Sequence, residues 1–413
     1  MKIFKPFSKI IFVFLMLLGI SVQAQDNLNR YLETAAKNNP ALKARFNEYM
    51  AALEKAPQVS ALPDPQVTFG YFILPVETKT GPQRFKISAS QMFPWFGTLG
   101  KSEDVAINRA KAKYELFEEA KSNLFFEVKS TYYKLYFLKK SIAITNDNLR
   151  ILNTFRNLAL IKIEAGTASG VDELRVEMEL ADLENTLALL RDKWFTAVVS
   201  FNNLLNVDEN STVTIPETLW VNDLVFSKQA VLDSLKQNNN QLKSLDYLFK
   251  SYKDQELRAK SQGAPNILTG IDYINVGNDG LSPQSGKDAL FIKVGVTIPL
   301  YRKKYNSMVK EAVLLQEATQ YKKEDKVNAL ETLFENSYAQ YNDAQRRLSL
   351  FEKQSDLASK AIRILESEYA SNGKNFEEIL RMERNLLKYS LELERARADK
   401  QASVAFITYL MGR

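Results

Sequence analysis

Two short acidic clusters stand beside glycine turns. Asp172 and Glu173 follow Ala165-Gly166-Thr-Ala-Ser-Gly170, and Glu377 and Glu378 follow Ser371-Asn-Gly373-Lys374. Arg381 stands three and four residues beyond the second pair, within reach of both carboxylates on a helix. Such groups do electrostatic work: they pair, repel, or favour a helix start through its dipole. Bond-making chemistry has few candidates. The 413 residues include no histidine and no cysteine, which excludes thiol nucleophiles, histidine bases and Cys/His zinc sites. No glycine-flanked serine nucleophile motif occurs, and the eight methionines are too scattered for a soft-metal relay. The chain reads as no enzyme, with neither cofactor nor resident metal.

The N-terminus points to export. Lys2, Lys5 and Lys9 precede an apolar run from Ile10 to Ile20, and Val22-Gln-Ala24 offers a small-residue cleavage site. The run is too short to span a bilayer, which takes roughly 20 apolar residues. Loss of residues 1–24 removes three lysines and no acid, leaving 52 basic against 49 acidic side chains and a net charge of +3. That balance, without a basic run, suggests no nucleic-acid partner. The absence of cysteine rules out disulfides and a lipidated N-terminal cysteine. No later stretch approaches 20 apolar residues, so an exported chain of this kind would cross a membrane with strands.

The elements that must position the charged clusters occur twice, about 200 residues apart. Pro65-Gln-Val-Thr-Phe-Gly70 is echoed by Pro265-Asn-Ile-Leu-Thr-Gly270, and Lys86 to Pro94 by Phe291 to Pro299. Each copy reads as a helix, two alternating strands, a very long helix and a shorter returning one. Leu180, Leu183, Leu187, Leu190, Trp194, Ala197, Phe201 and Leu204 step alternately by three and four, a coiled-coil seam. Ile379, Met382, Leu386, Tyr389, Leu393 and Ala396 repeat it, as do positions from Leu330 to Tyr369. No proline interrupts Lys101–Ala165 or Arg302–Ala370. Each therefore predicts one helix near 100 Å long at about 1.5 Å per residue. Their expected partners are Pro40–Ala61 with Val171–Asn206, and Gln241–Ser261 with Phe376–Met411.

The strands alternate at period two. Val67, Phe69, Tyr71 and Ile73 oppose Gln66, Thr68 and Gly70, while Phe85, Ile87, Ala89 and Phe93 oppose Arg84, Lys86, Ser88 and Ser90. Leu290, Ile292, Val294, Val296 and Ile298 oppose Lys293, Gly295 and Thr297, and Ile271 and Tyr273 flank Asp272. Segments of this length suit tilted transmembrane strands, and the aromatics Tyr71, Phe72, Phe93, Trp95, Phe96 and Tyr301 suit an interfacial belt. Four strands close no barrel, and an open edge in lipid leaves backbone groups unsatisfied. The chain must then oligomerise, as one third of a twelve-stranded barrel or half of an eight-stranded one.

The hairpin-plus-long-helix repeat, the strand-ending Phe93-Pro94-Trp95-Phe96-Gly97 and Ile298-Pro299-Leu300, and the turns at Gly166 and Gly373 resemble the TolC-type outer-membrane efflux proteins. Leu62-Pro63-Asp64-Pro65 with Ser90 to Gly97 looks most like their heavy-metal efflux branch, CusC-like and CzcC-like. The resemblance implies a mainly α fold with a transmembrane β-barrel contribution. Residues 1–24 would be the signal, 25–206 and 227–413 the two repeats, and 207–226 an equatorial linker of irregular or β structure. The strands would lie near 65–74, 83–93, 266–275 and 288–298. It further implies a homotrimer in outer-membrane lipid of a Gram-negative cell, with a twelve-stranded barrel and a twelve-helix periplasmic tunnel. A periplasmic adaptor (membrane fusion protein) and an inner-membrane pump of the RND type would be its partners. The periplasmic gate of such proteins falls at Gly166–Glu173 and Tyr369–Arg381. Its candidate residues are Asp172, Glu173, Tyr369, Glu377, Glu378 and Arg381, with Gly166 and Gly373 as helix-turn glycines and Pro94 and Pro299 as strand ends. The expected function is an exit duct for small molecules or metal ions. Two alternatives remain: a periplasmic coiled-coil adaptor or scaffold, and the duct of a type I protein secretion system.

Overall fold

The structure, a computed structural model, describes residues 27–219, 223–281, 283–372 and 376–412. The expected export signal (residues 1–24), Trp220 and Val221 of the linker, and the helix-turn glycine Gly373 lie outside the described residues. The order is α1 (residues 27–38), α2 (Pro40–Leu53), α3 (Lys55–Ser60), β1 (Gln66–Val76), β2 (Gln83–Phe93), α4 (Thr98–Glu164) and α5 (Gly170–Leu205). After the linker come α6 (Lys228–Asn238), α7 (Asn240–Gln262), β3 (Asn266–Val276), β4 (Ala289–Thr297), α8 (Arg302–Asn372) and α9 (Phe376–Leu410). The two proline-free stretches are single helices of 67 and 71 residues. Among the described residues, no helix is long and apolar enough to cross a membrane.

The chain divides into two compact units, each built from both halves of the sequence. One comprises residues up to 44, 118–239 and 327–413; the other comprises 45–117 and 240–326.

In the larger unit the inward faces of α5 and α8 carry much of the expected seams, whereas of the seam expected in α9 only Ile379 and Ala396 are buried. Leu180, Leu183, Leu187, Ala197 and Phe201 of α5 are buried, as are Leu330, Phe334, Tyr341, Ala344, Ala358, Ile362 and Tyr369 of α8. Two asparagines 200 residues apart stitch the halves alike. Asn39 Nδ2 donates to the Leu204 carbonyl at 3.1 Å, and Asn239 Nδ2 to the Leu410 carbonyl at 3.0 Å. Each thereby satisfies a carbonyl at a helix C-terminus, where no intrahelical donor remains. The described linker residues form no strand. They are held by Asn202, which donates to the Glu209 and Ser211 carbonyls, and by Lys139, which donates to the Ile215 carbonyl and pairs with Glu217.

In the other unit, α2, α3 and α7 pack with the first parts of α4 and α8 through bonds such as Asn108 to Asp254 (2.8 Å) and Ser244 Oγ to the Ala112 carbonyl (2.9 Å). The expected helix Pro40–Ala61 breaks at Glu54. The cause is Pro57, which has no N–H for the Leu53 carbonyl. Four antiparallel strands form one sheet in the order β1-β2-β3-β4, leaving β1 and β4 as free edges. Pro94 and Pro299 stand just beyond strand pairing, where the chain turns into α4 and α8.

Candidate functional site

The sheet has two unlike faces. Register places Val67 opposite Ala89, Phe69 opposite Ile87, Ile271 opposite Ala89 and opposite Ile292, and Thr269 opposite Val294. This face is apolar and yet uncovered: Ile73 is 89% exposed, Ile292 76% and Val294 70%. Phe85 lies between Phe69 and Tyr273, with ring centroids 5.8 and 6.3 Å away. The opposite face pairs Thr68 with Ser88, Ser88 with Asp272, and Gly270 with both Ser90 and Lys293. Arg84 departs from its expected place on that face: it falls in a β-bulge, where Gln83 and Phe85 pair with the adjacent Val276 and Asn275. Tyr71 falls in the middle of β1, not at its end, and is strongly exposed; Phe96 and Tyr301, beyond the ends of β2 and β4, are strongly exposed too, and Phe93 and Trp95 partly so.

The connecting loops are locked to each other. The Gly277 N–H donates to the Pro82 carbonyl, and the Gly286 N–H to the Thr80 carbonyl. Gly81 has a φ of +112°, and a Cβ there would stand 2.1 Å from the Gly277 carbonyl oxygen. Glycine is needed on both counts.

The second candidate region is the pair of helix turns in the larger unit. Gly166, at φ +69°, ends α4 in a Schellman turn: its N–H reaches the Ile163 carbonyl and that of Thr167 reaches Lys162. Ser169 then caps α5, accepting from the Val171 N–H, with Asp172 and Glu173 in the first turn. Beneath lies a core of Leu152, Phe155, Val176, Leu180, Tyr369, Phe376 and Ile379, among others. Tyr369 is wholly buried in that core, 4.9 Å from the Phe376 ring centroid.

The structure sorts the charged candidates differently from their spacing. Arg381 pairs with Glu378 within one turn of α9. Glu377 instead meets Arg175 of α5 at 3.1 Å, and Arg175 also reaches Asp172 at 3.5 Å. Lys162, near the end of α4, donates to the Tyr369 carbonyl at 2.8 Å and lies 4.9 Å from the Tyr369 ring centroid. Sequence reasoning missed Lys162 and Arg175, because ties between helices have no sequence spacing. Only the i, i+3 step from Asp172 to Arg175 was a usable signal. Also missed was Glu383, 4% exposed on the inward face of α9. Burial, then the neighbouring Glu366 carboxylate, push it up to about 7 against the Asn148 hydrogen bond. Among the described residues no group of three or more acidic side chains is disposed to hold a metal ion.

Comparison with known proteins follows the same lines. Residues 31–207 match the family model of the outer membrane efflux proteins. A stretch of 129 residues is 26% identical to the toxin and drug export protein A of Aggregatibacter actinomycetemcomitans, spanning 31% of this chain and 28% of that relative. The outer-membrane channel OprN superposes with a TM-score of 0.77 at 16% identity, covering 95% of this chain and 92% of the other. The CusC channel gives 0.76 at 15%, covering 93% and 92%. Two equal likenesses distinguish no branch, so the heavy-metal resemblance gains nothing from the fold. Residues 31–207 are similar to the outer membrane efflux proteins, and the chain as a whole has the fold of the OprN and CusC channels.

Proposed function

We propose that this chain is the outer-membrane exit duct of a tripartite efflux system in a Gram-negative cell, assembling as a homotrimer. Three four-stranded sheets would close one twelve-stranded barrel, and the helices would line a periplasmic tunnel. One observation carries the reading: a sheet whose apolar face is uncovered, whose other face holds all its ion-paired side chains with serine and threonine among some apolar residues, and whose two edges are unpaired. In water that face would be an aggregation surface. In lipid it is the required exterior, and closure pairs the edges that lipid cannot satisfy. Residues 1–24 serve as the export signal, and 25–206 and 227–413 as repeats joined by the linker 207–226.

A periplasmic adaptor and an inner-membrane pump of the RND type complete the machine and supply the energy. The duct makes and breaks no bonds; it offers a water-filled path for small molecules or metal ions, and a gate. Asp172, Glu173, Tyr369, Glu377, Glu378 and Arg381, with the turn glycines Gly166 and Gly373, form that gate. A second reading, the duct of a type I protein secretion system, is favoured by the export of toxins named in the Aggregatibacter relative.

Cell fractionation with unheated gel electrophoresis tests the assignment. A heat-sensitive trimer in the outer-membrane fraction is expected. A soluble periplasmic monomer overturns it in favour of an adaptor.

A further inference from the structure

The four strands contain only four charged residues: Arg84, Lys86, Asp272 and Lys293. Three of them meet on the polar face. Lys86 Nζ lies 2.6 Å from one Asp272 carboxylate oxygen and Lys293 Nζ 2.8 Å from the other. The carboxylate is 1% exposed, whereas the two lysine side chains are 35% and 34% exposed. The negative charge is therefore covered, and what reaches the surface there is the two lysine side chains. Neighbouring residues hold the lysines in place. Lys86 lies 5.4 Å from the Phe291 ring centroid. Gly270 leaves the space that Lys293 occupies, since a Cβ there would stand 2.7 Å from Lys293 Cε and 2.8 Å from the Ala89 carbonyl oxygen. Each chain thus carries one net positive charge on this face, and the fourth charged residue, Arg84 in the bulge, is also basic.

We infer that the Lys86–Asp272–Lys293 cluster is an anion-selecting element of the duct wall, favouring solutes that carry carboxylate, sulfonate or phosphate groups. The inference rests on the duct reading, which turns the polar face toward the lumen. Basic side chains ringing a pore bounded by low-dielectric walls raise the local concentration of anions. A cluster of two cations on one carboxylate keeps that bias while the buried charge stays paired. Were the cluster only a cross-strand tie, an outward-facing carboxylate over a buried lysine would serve equally.

The test is the reversal potential of the purified full chain in planar bilayers under a KCl gradient, at low salt where screening is weak. Lys86→Gln and Lys293→Gln are each expected to lower the chloride-to-potassium permeability ratio roughly twofold, the double variant more. A second measurement acts on the already assembled pore. The chain has no cysteine, so Ser90→Cys on the same face gives a single thiol. An anionic methanethiosulfonate reagent should modify it several-fold faster than its cationic analogue, relative to the same pair acting on a free thiol. Conducting pores with unchanged reversal potentials, or a reagent ratio equal to that of the free thiol, overturn the anion-selecting role and leave the duct standing. Absence of any conductance from assembled wild-type protein overturns the duct and this inference with it.

Discussion

Glu383 occupies a position where the neighbouring inward residues of α9, Ile379 and Leu380, are apolar and buried. It accepts a long hydrogen bond from Asn148 Nδ2 at 3.4 Å. With its folded value near 7 and an unfolded value of about 4.3, the folded chain holds a proton through that interval that the unfolded chain has lost. Stability contributed by this site is therefore full below about pH 4 and falls as pH rises. The loss levels off above about 7 at a cost on the order of 4 kcal/mol. Amide exchange, corrected for intrinsic rates, should quicken between about pH 5 and 7 in residues 145–159 and 376–390. Glu383→Gln keeps an acceptor for Asn148 and removes the charge, so it should abolish that difference. A pH difference that survives in the Gln variant assigns the effect to another group. The sequence showed Glu383 only as a charge between two seam positions, Met382 and Leu386. Which side of the helix it favours depends on the partners of α9, and these no local pattern names.

At the scale of elements, the helix ends around Gly166 and Phe376 are joined by few polar ties. Lys162 links α4 to α8, and Arg175 links α5 to α9, whereas Glu378 and Arg381 belong to one helix. Exposed pairs contribute about 0–1 kcal/mol each, small enough for a gate to open against them. Combined Lys162→Ala and Arg175→Ala is expected to raise single-channel conductance in bilayers. Glu378→Ala with Arg381→Ala, the change the spacing alone suggested, should alter it less, because that pair joins nothing across the turn. Equal effects would mean that the local pair matters as much as the ties. Much else at this scale was legible in the chain. The extents of α4 and α8 follow from absent prolines and the three-four stepping, and the strands from strict alternation with polar turns. The short helices α1 and α6 were not legible as separate elements. They end at Asn39 and Asn239, whose role is to reach a carbonyl some 165 to 171 residues further along the chain. The bulge that displaces Arg84 was hidden for a similar reason: it arises from pairing with β3, not from β2 itself.

For the whole molecule, the two sheet faces make opposite demands. On the duct reading, a lysine on the exposed apolar face would be carried into hydrocarbon, at roughly 2–4 kcal/mol near the midplane, whereas the polar face should accept one readily. Ile292→Lys is expected to deplete the heat-sensitive trimer from outer membranes, and Thr68→Lys to leave its amount nearly unchanged. The reverse pattern would exchange lumen and lipid. The glycines at 70 and 270 add a consequence of their own. They hold matching places in the two copies, yet a Cβ at 70 would meet nothing within 4 Å in a single chain, whereas one at 270 would collide with Lys293 and the Ala89 backbone. Matching in the same way, Phe72 answers Asp272, Phe291 answers Lys86, and Ser88 answers Lys293. The duplicated hairpins have thus parted company at the very positions that carry charge. A ring of six identical hairpins would present a uniform wall. In the proposed trimer, three pairs of diverged hairpins would break that monotony into a threefold pattern, with charge in one place per chain and none at its counterpart in the other copy.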